Sequence, residues 1–146
     1  MSRLSMFALV VLVLSLPVTG LAQESASTDE NSNSAGGIYT EDQAKRGQQA
    51  YFQSCASCHG IRLNGGMGPA LTGDPFMSRW GPKRVQELFD FVQENMPLGL
   101  AGTLSDQAYA DIVAFILSNN GHPAGSTELT AESEALGSTR VDPDAE

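Results

Sequence analysis

Apolar residues recur at helical spacing in three stretches of the chain, and no stretch alternates convincingly with a period of two. Thr40 is placed to cap a helix beginning at Glu41, with Gln43 three residues on to complete a capping box. That helix runs to about Ser54, with Ala44, Gly47, Ala50 and Tyr51 on one face. A second helix is predicted from about Lys83 to Asn95, after Gly81-Pro82, with Val85, Leu88, Phe89 and Val92 as its apolar face. The third starts after the capping residue Ser105, carries Ala108, Tyr109, Ile112, Val113, Ile116 and Leu117, and stops at Asn119-Asn120-Gly121. Glycine and proline fill the segments between. The pattern predicts an all-α fold of three main helices joined by long loops.

A fourth apolar stretch, Leu4 to Leu16, has a different character. It follows Arg3 and leads to Gly20-Leu21-Ala22, with small residues at the −3 and −1 positions of a cleavage site. This three-part layout predicts a secretory signal peptide over residues 1–22 and a mature chain starting at Gln23. The stretch falls short of the ~20 residues that span a bilayer, which disfavours the alternative of an uncleaved anchor. No cysteine lies near the cleavage point to carry a lipid. The reading therefore places the protein in the periplasm, without stable membrane insertion.

Charge then divides what remains. The 146-residue chain has a formal net charge of −9, which excludes the basic footprint of a nucleic-acid binder. Most of the excess lies outside residues 39–122, which hold 6 basic and 8 acidic side chains. Residues 23–38 are rich in Ser, Asn and Gly and predict a flexible linker; residues 123–146, with six acids and one arginine, predict a solvated, disordered tail. The ordered domain is thus expected over residues 39–122. That is a marginal size for a core without a staple.

One motif supplies the staple. Cys55-Ala56-Ser57-Cys58-His59 is C-x-x-C-H, the attachment sequence of a c-type haem. Two thiols three residues apart on a helical turn both reach the vinyl groups of one porphyrin, and the histidine that follows is placed beneath the ring. A redox dithiol would not need His59, and a zinc site would need a further pair of ligands, whereas the chain has only two cysteines and one other histidine, His122. One covalently attached haem c per chain is expected. Met67, Met77, Met96 and His122 are the candidates for a sixth iron ligand.

With these residues in view, the chain from Tyr39 to Gly125 resembles a class I c-type cytochrome, with a single haem held by a histidine–methionine pair. The resemblance is carried by Gly47, Tyr51 and Phe52 before C-A-S-C-H-G, by Gly68-Pro69-Ala70-Leu71, by Trp80, by Met96-Pro97 and by the closing helix from Tyr109 to Ile116. The segment L-F-x-F-V-x-x-N-M-P and the helix after it are similar to small periplasmic cytochromes that serve quinoprotein dehydrogenases. The resemblance implies His59 and Met96 as iron ligands, thioethers at Cys55 and Cys58, a Pro69 carbonyl that accepts from the His59 ring, and a Trp80 contact to a haem propionate. For Met77 the residues favour core filling, and for His122 a surface position. Gly47 would let the first and third helices approach, with Tyr51 or Phe52 against Tyr109 and Phe115.

A haem with both axial positions filled leaves the iron no open site and only a change of oxidation state to perform. The implied function is a periplasmic one-electron carrier, monomeric or in transient complexes. It would link a dehydrogenase or membrane complex to an oxidase or another cytochrome. The alternatives are a tightly bound cytochrome subunit of a quinoprotein dehydrogenase and a ligand-sensing or peroxidatic haem with an open iron. No catalytic residue is expected: the chain shows no triad, paired carboxylates or phosphate loop.

Overall fold

The computed structural model describes residues 36–145. The expected signal peptide and most of the linker lie outside the described residues. Six helices and no strand occur among them: α1 (Glu41–Ser54), α2 (Ala56–His59), α3 (Gly73–Trp80), α4 (Val85–Asn95), α5 (Asp106–Ser118) and α6 (Glu134–Ser138). No helix among the described residues is long and apolar enough to cross a membrane.

Helix α5 is the centre of the core. Its residues Tyr109 to Leu117 are all buried, so it is covered on every side rather than along one stripe. Ser105 caps it by accepting the Ala108 N–H at 3.2 Å, and Gly121, with φ +90°, turns the chain away after its end. Helix α1 crosses α5 at Gly47. A Cβ at this position would lie 1.8 Å from the Asp111 carbonyl oxygen, so only glycine permits the crossing. Tyr51 packs beside it against Phe115, ring centroids 5.3 Å apart, whereas Phe52 is exposed. Gly47→Ala must push the two helices apart and is expected to cost about 2–3 kcal/mol, a Tm fall on the order of 10 °C in the haem-loaded protein. A shift under ~2 °C in a thermal melt would mean that the helices do not meet here.

Three local expectations need correction. Helix α3 was not legible as a helix, although Asp74-Pro75 in its first turn is a common start and Phe76 and Trp80 share its buried face. Helix α4 begins at Val85 rather than Lys83, because the backbone of residues 83–85 bonds elsewhere: Val85 N–H donates to Thr139 O at 2.9 Å and Lys83 O accepts from Val141 N–H at 2.9 Å. Thr40 does cap α1, its hydroxyl accepting the Gln43 N–H at 3.2 Å, but the Gln43 side chain turns into the core.

That side chain explains the largest difference. Residues 123–146 read as a solvated tail, yet the structure lays residues 126–145 along the helical core, with Leu129, Leu136 and Val141 fully buried. The Gln43 amide, itself fully buried, donates to Leu129 O at 2.7 Å and to Asp111 Oδ1 at 3.0 Å and accepts the Leu129 N–H at 2.8 Å. Its polar capacity is thus used on the incoming backbone. Outside this clamp, Arg46 bridges Asp111 and Glu128. His122 is buried rather than on the surface, and its Nε2 donates to Val141 O at 2.8 Å. The acids of the segment stay outward while three well-separated aliphatics point in, a pattern too sparse to register as periodicity.

Candidate haem site

The helical turn after α1 presents the C-x-x-C-H residues. Cys58 N–H and His59 N–H both donate to Cys55 O, at 3.1 and 3.0 Å, so the two thiols and the imidazole sit on one tight turn. Gly60, with φ +79°, ends it, and the Tyr51 hydroxyl fixes the exit by donating to Gly60 O at 2.6 Å. Burial pushes the Cys55 thiol up to about 11, with nearby Cys58 adding to the shift. A thiol that stays protonated at neutral pH is the opposite of the low-pKa thiolate of a dithiol redox site.

His59 is buried, and its Nδ1 donates to Pro69 O at 2.8 Å. A carbonyl only accepts, so the proton is on Nδ1 and Nε2 is left with a lone pair for a metal. The ring lies flush against the backbone of Gly68, where a Cβ would come within 2.8 Å of Cε1 and 2.9 Å of Nδ1. Gly68 N–H in turn donates to Cys58 O at 2.9 Å. Glycine at 68 and proline at 69 therefore seat the imidazole from its face and its edge.

Cys55, Cys58 and His59 open onto a cavity of about 800 Å³. Its walls are mainly apolar, with Phe76 and Trp80 from α3, Leu88, Phe91 and Val92 from α4, and Ile112 and Ile116 from α5. Arg79 is the charged side chain among them. Its guanidinium lies 5.2 Å from the ring centroids of both Trp80 and Phe91, and no carboxylate pairs with it among the described residues. Trp80 and Phe91 themselves stand 5.2 Å apart. The indole N–H of Trp80 has no hydrogen-bond partner among the described residues. A large apolar cavity with two thiols and a correctly protonated imidazole at its edge fits a covalently held porphyrin, and a cation on its wall suits the porphyrin's acid groups.

Of the four candidate sixth ligands, Met96 and Met67 line this cavity, and Met77 and His122 do not. Met77 packs against the core. Met67 is 84% exposed and adjoins Gly68 on the His59 side. Met96 occupies the residue after α4, in extended conformation, and is half-buried on the cavity wall. Its loop is fastened by Tyr109, whose hydroxyl donates to Met96 O at 2.8 Å and accepts the Gly102 N–H at 2.9 Å. The sequence marks Tyr109 only as a packing residue, because nothing in it reveals where the hydroxyl ends. Gly68 carried a hint, since glycine before Pro69 left room for something to approach.

A helical shell around a cavity bearing C-x-x-C-H is the architecture of a c-type cytochrome. The family model described as cytochrome c oxidase, cbb3-type, subunit III matches residues 42–116, and the chain belongs to this cytochrome c family. Cytochrome c-551 of Bacillus subtilis (strain 168) is 31% identical over 94 residues, 64% of this chain and 75% of that protein. Thiosulfate dehydrogenase of Stutzerimonas stutzeri (strain A1501) is 36% identical over 81 residues, 51% of this chain and 26% of that protein. The enzyme of the same name from Psychrobacter arcticus is 30% identical over 83 residues and is covered to 25%. The chain thus spans about a quarter of the two dehydrogenases. It is a small c-type cytochrome, and the cofactor of this family is covalently bound haem c.

Proposed function

We propose that this cytochrome is an exported one-electron carrier of the periplasm, with Cys55 and Cys58 as thioether anchors and His59 and Met96 as axial ligands. The observation that carries the reading is the meeting of these four side chains on one cavity, with the two ligands supplied by separate, independently fastened segments. When bound, the haem supplies reversible one-electron exchange. The chain's own residues do the rest. Pro69 O holds the imidazole and raises its basicity, and Tyr109 holds the Met96 loop. The apolar walls exclude water, and a methionine ligand favours the reduced state relative to two histidines. Trp80 and Arg79, which line the cavity, would hold the propionates.

Partners dock at the cavity mouth. There Met67, Leu98 and Leu100 are exposed, at 84%, 87% and 61%, and offer a small apolar contact suited to a brief encounter. A dehydrogenase or membrane complex donates, and an oxidase or another cytochrome accepts. The likeness to a quarter of each thiosulfate dehydrogenase favours a second reading, a haem unit held permanently in an enzyme, of which a quinoprotein dehydrogenase is one form. Size-exclusion chromatography of the protein from its native membrane-free extract separates the two. The carrier is expected at the mass of a monomer, and co-elution with a dehydrogenase in fixed stoichiometry would contradict it.

A further inference from the structure

We infer that the C-terminal strap, residues 126–145, is a positioning device for the haem cavity. It pins the wall formed by α3, α4 and the turn between them, and so keeps Met96 in place; the inference rests on the ligand reading above. The strap itself does not line the cavity. What it touches is the back of the wall. In the α3–α4 turn, Gly81 O accepts from Asp142 N–H at 3.2 Å, Pro82 O from the Arg140 guanidinium at 2.6 Å and Lys83 O from Val141 N–H at 2.9 Å. Val85 N–H donates to Thr139 O at 2.9 Å, and the Arg84 guanidinium to Ser138 O at 2.7 Å. Three consecutive carbonyls and the first amide of α4 thus depend on the strap.

This turn is the hinge of the wall. Trp80 immediately precedes it and packs on Phe91 of α4, with Arg79 over both rings. Helix α4 then runs directly to Met96, whose N–H donates to Val92 O at 2.9 Å. The strap is also anchored on other elements, at Gln43 of α1 through Leu129 and at His122 beyond α5 through Val141, the residue that bonds Lys83 O. Force on the turn is therefore carried to the core helices rather than to solvent. The family match ends at residue 116, and the strap lies beyond it. Releasing it frees backbone groups at the turn, raises the population of a locally opened wall and lets Met96 leave the iron more often.

The test uses the full-length, haem-loaded protein with Leu129→Asp and, separately, Val141→Asp, each burying a charge on the strap and leaving all cavity residues intact. Expected are faster amide exchange at Val85, retained protection in α5, a weaker methionine–iron absorption band, and carbon monoxide binding to the ferrous protein faster by on the order of tenfold. Fast exchange at Val85 with an unchanged band and unchanged carbon monoxide binding would overturn the proposal. If neither variant accumulates, native-state exchange on the unaltered protein decides. The Val141, Val85 and Met96 amides should open as one unit below global unfolding; Val141 opening alone overturns the coupling. An unaltered protein that binds carbon monoxide at once refutes the ligand reading instead, and the coupling is still read from the same three amides.

Discussion

The Cys55→Ser/Cys58→Ser double variant is expected to lose covalent haem and, with it, the native fold. The cavity occupies about 800 Å³, and without the haem its mainly apolar walls lose their packing partner and face water. A domain is stable by only ~5–15 kcal/mol, so the loss of a group of that size from the core is enough to unfold it. Phe76, Leu88, Ile112 and Ile116 would line an empty hole rather than a core. Far-UV circular dichroism of the haem-free chain should show much reduced helicity and no sharp thermal transition. Near-native helicity with cooperative melting would contradict the view that the haem completes the core.

Met96→Ala is expected to open the iron while sparing the fold, because the backbone bonds at residue 96, to Val92 O and from Tyr109, do not use the side chain. If the methionine keeps the open form below about 1%, its removal raises the apparent affinity for carbon monoxide at least ~100-fold. The methionine–iron band of the oxidised protein should vanish and the midpoint potential should fall. Met67→Ala is the internal control. It also removes a cavity-lining methionine, but one that is largely exposed, and it should leave both band and affinity unchanged. A loss of the band in Met67→Ala instead would move the ligand to the other side of the cavity mouth.

The parts of this structure that were legible in the sequence are those governed by short-range rules. Helices α1, α4 and α5 announce themselves by spacing, and C-x-x-C-H fixes its own turn because Cys55 O accepts from both Cys58 and His59 N–H. The Pro69 contact came with the resemblance, ten residues from its partner. What was hidden depends on distant partners. Gln43 suits a capping box by position, yet its amide is spent on Leu129, 86 residues away. His122 looks like a surface residue beside Gly121 until Val141 closes over it. The strap carries a tail's composition, and its order comes from three aliphatics buried in the hydrophobic core. Helix α3 is short, and only two of its residues, Phe76 and Trp80, are buried, which is too few to establish a period.

On the proposed ligation, this chain's own residues fill both axial positions of the haem iron. An optical spectrum of the exported, haem-loaded protein tests it most directly, recorded oxidised, reduced, and reduced under carbon monoxide. Expected is a low-spin reduced spectrum that carbon monoxide alters only slowly, with the weak methionine–iron band in the oxidised form. A high-spin spectrum, or immediate carbon monoxide binding, would contradict it and turn the protein from a carrier into a sensing or reactive haem.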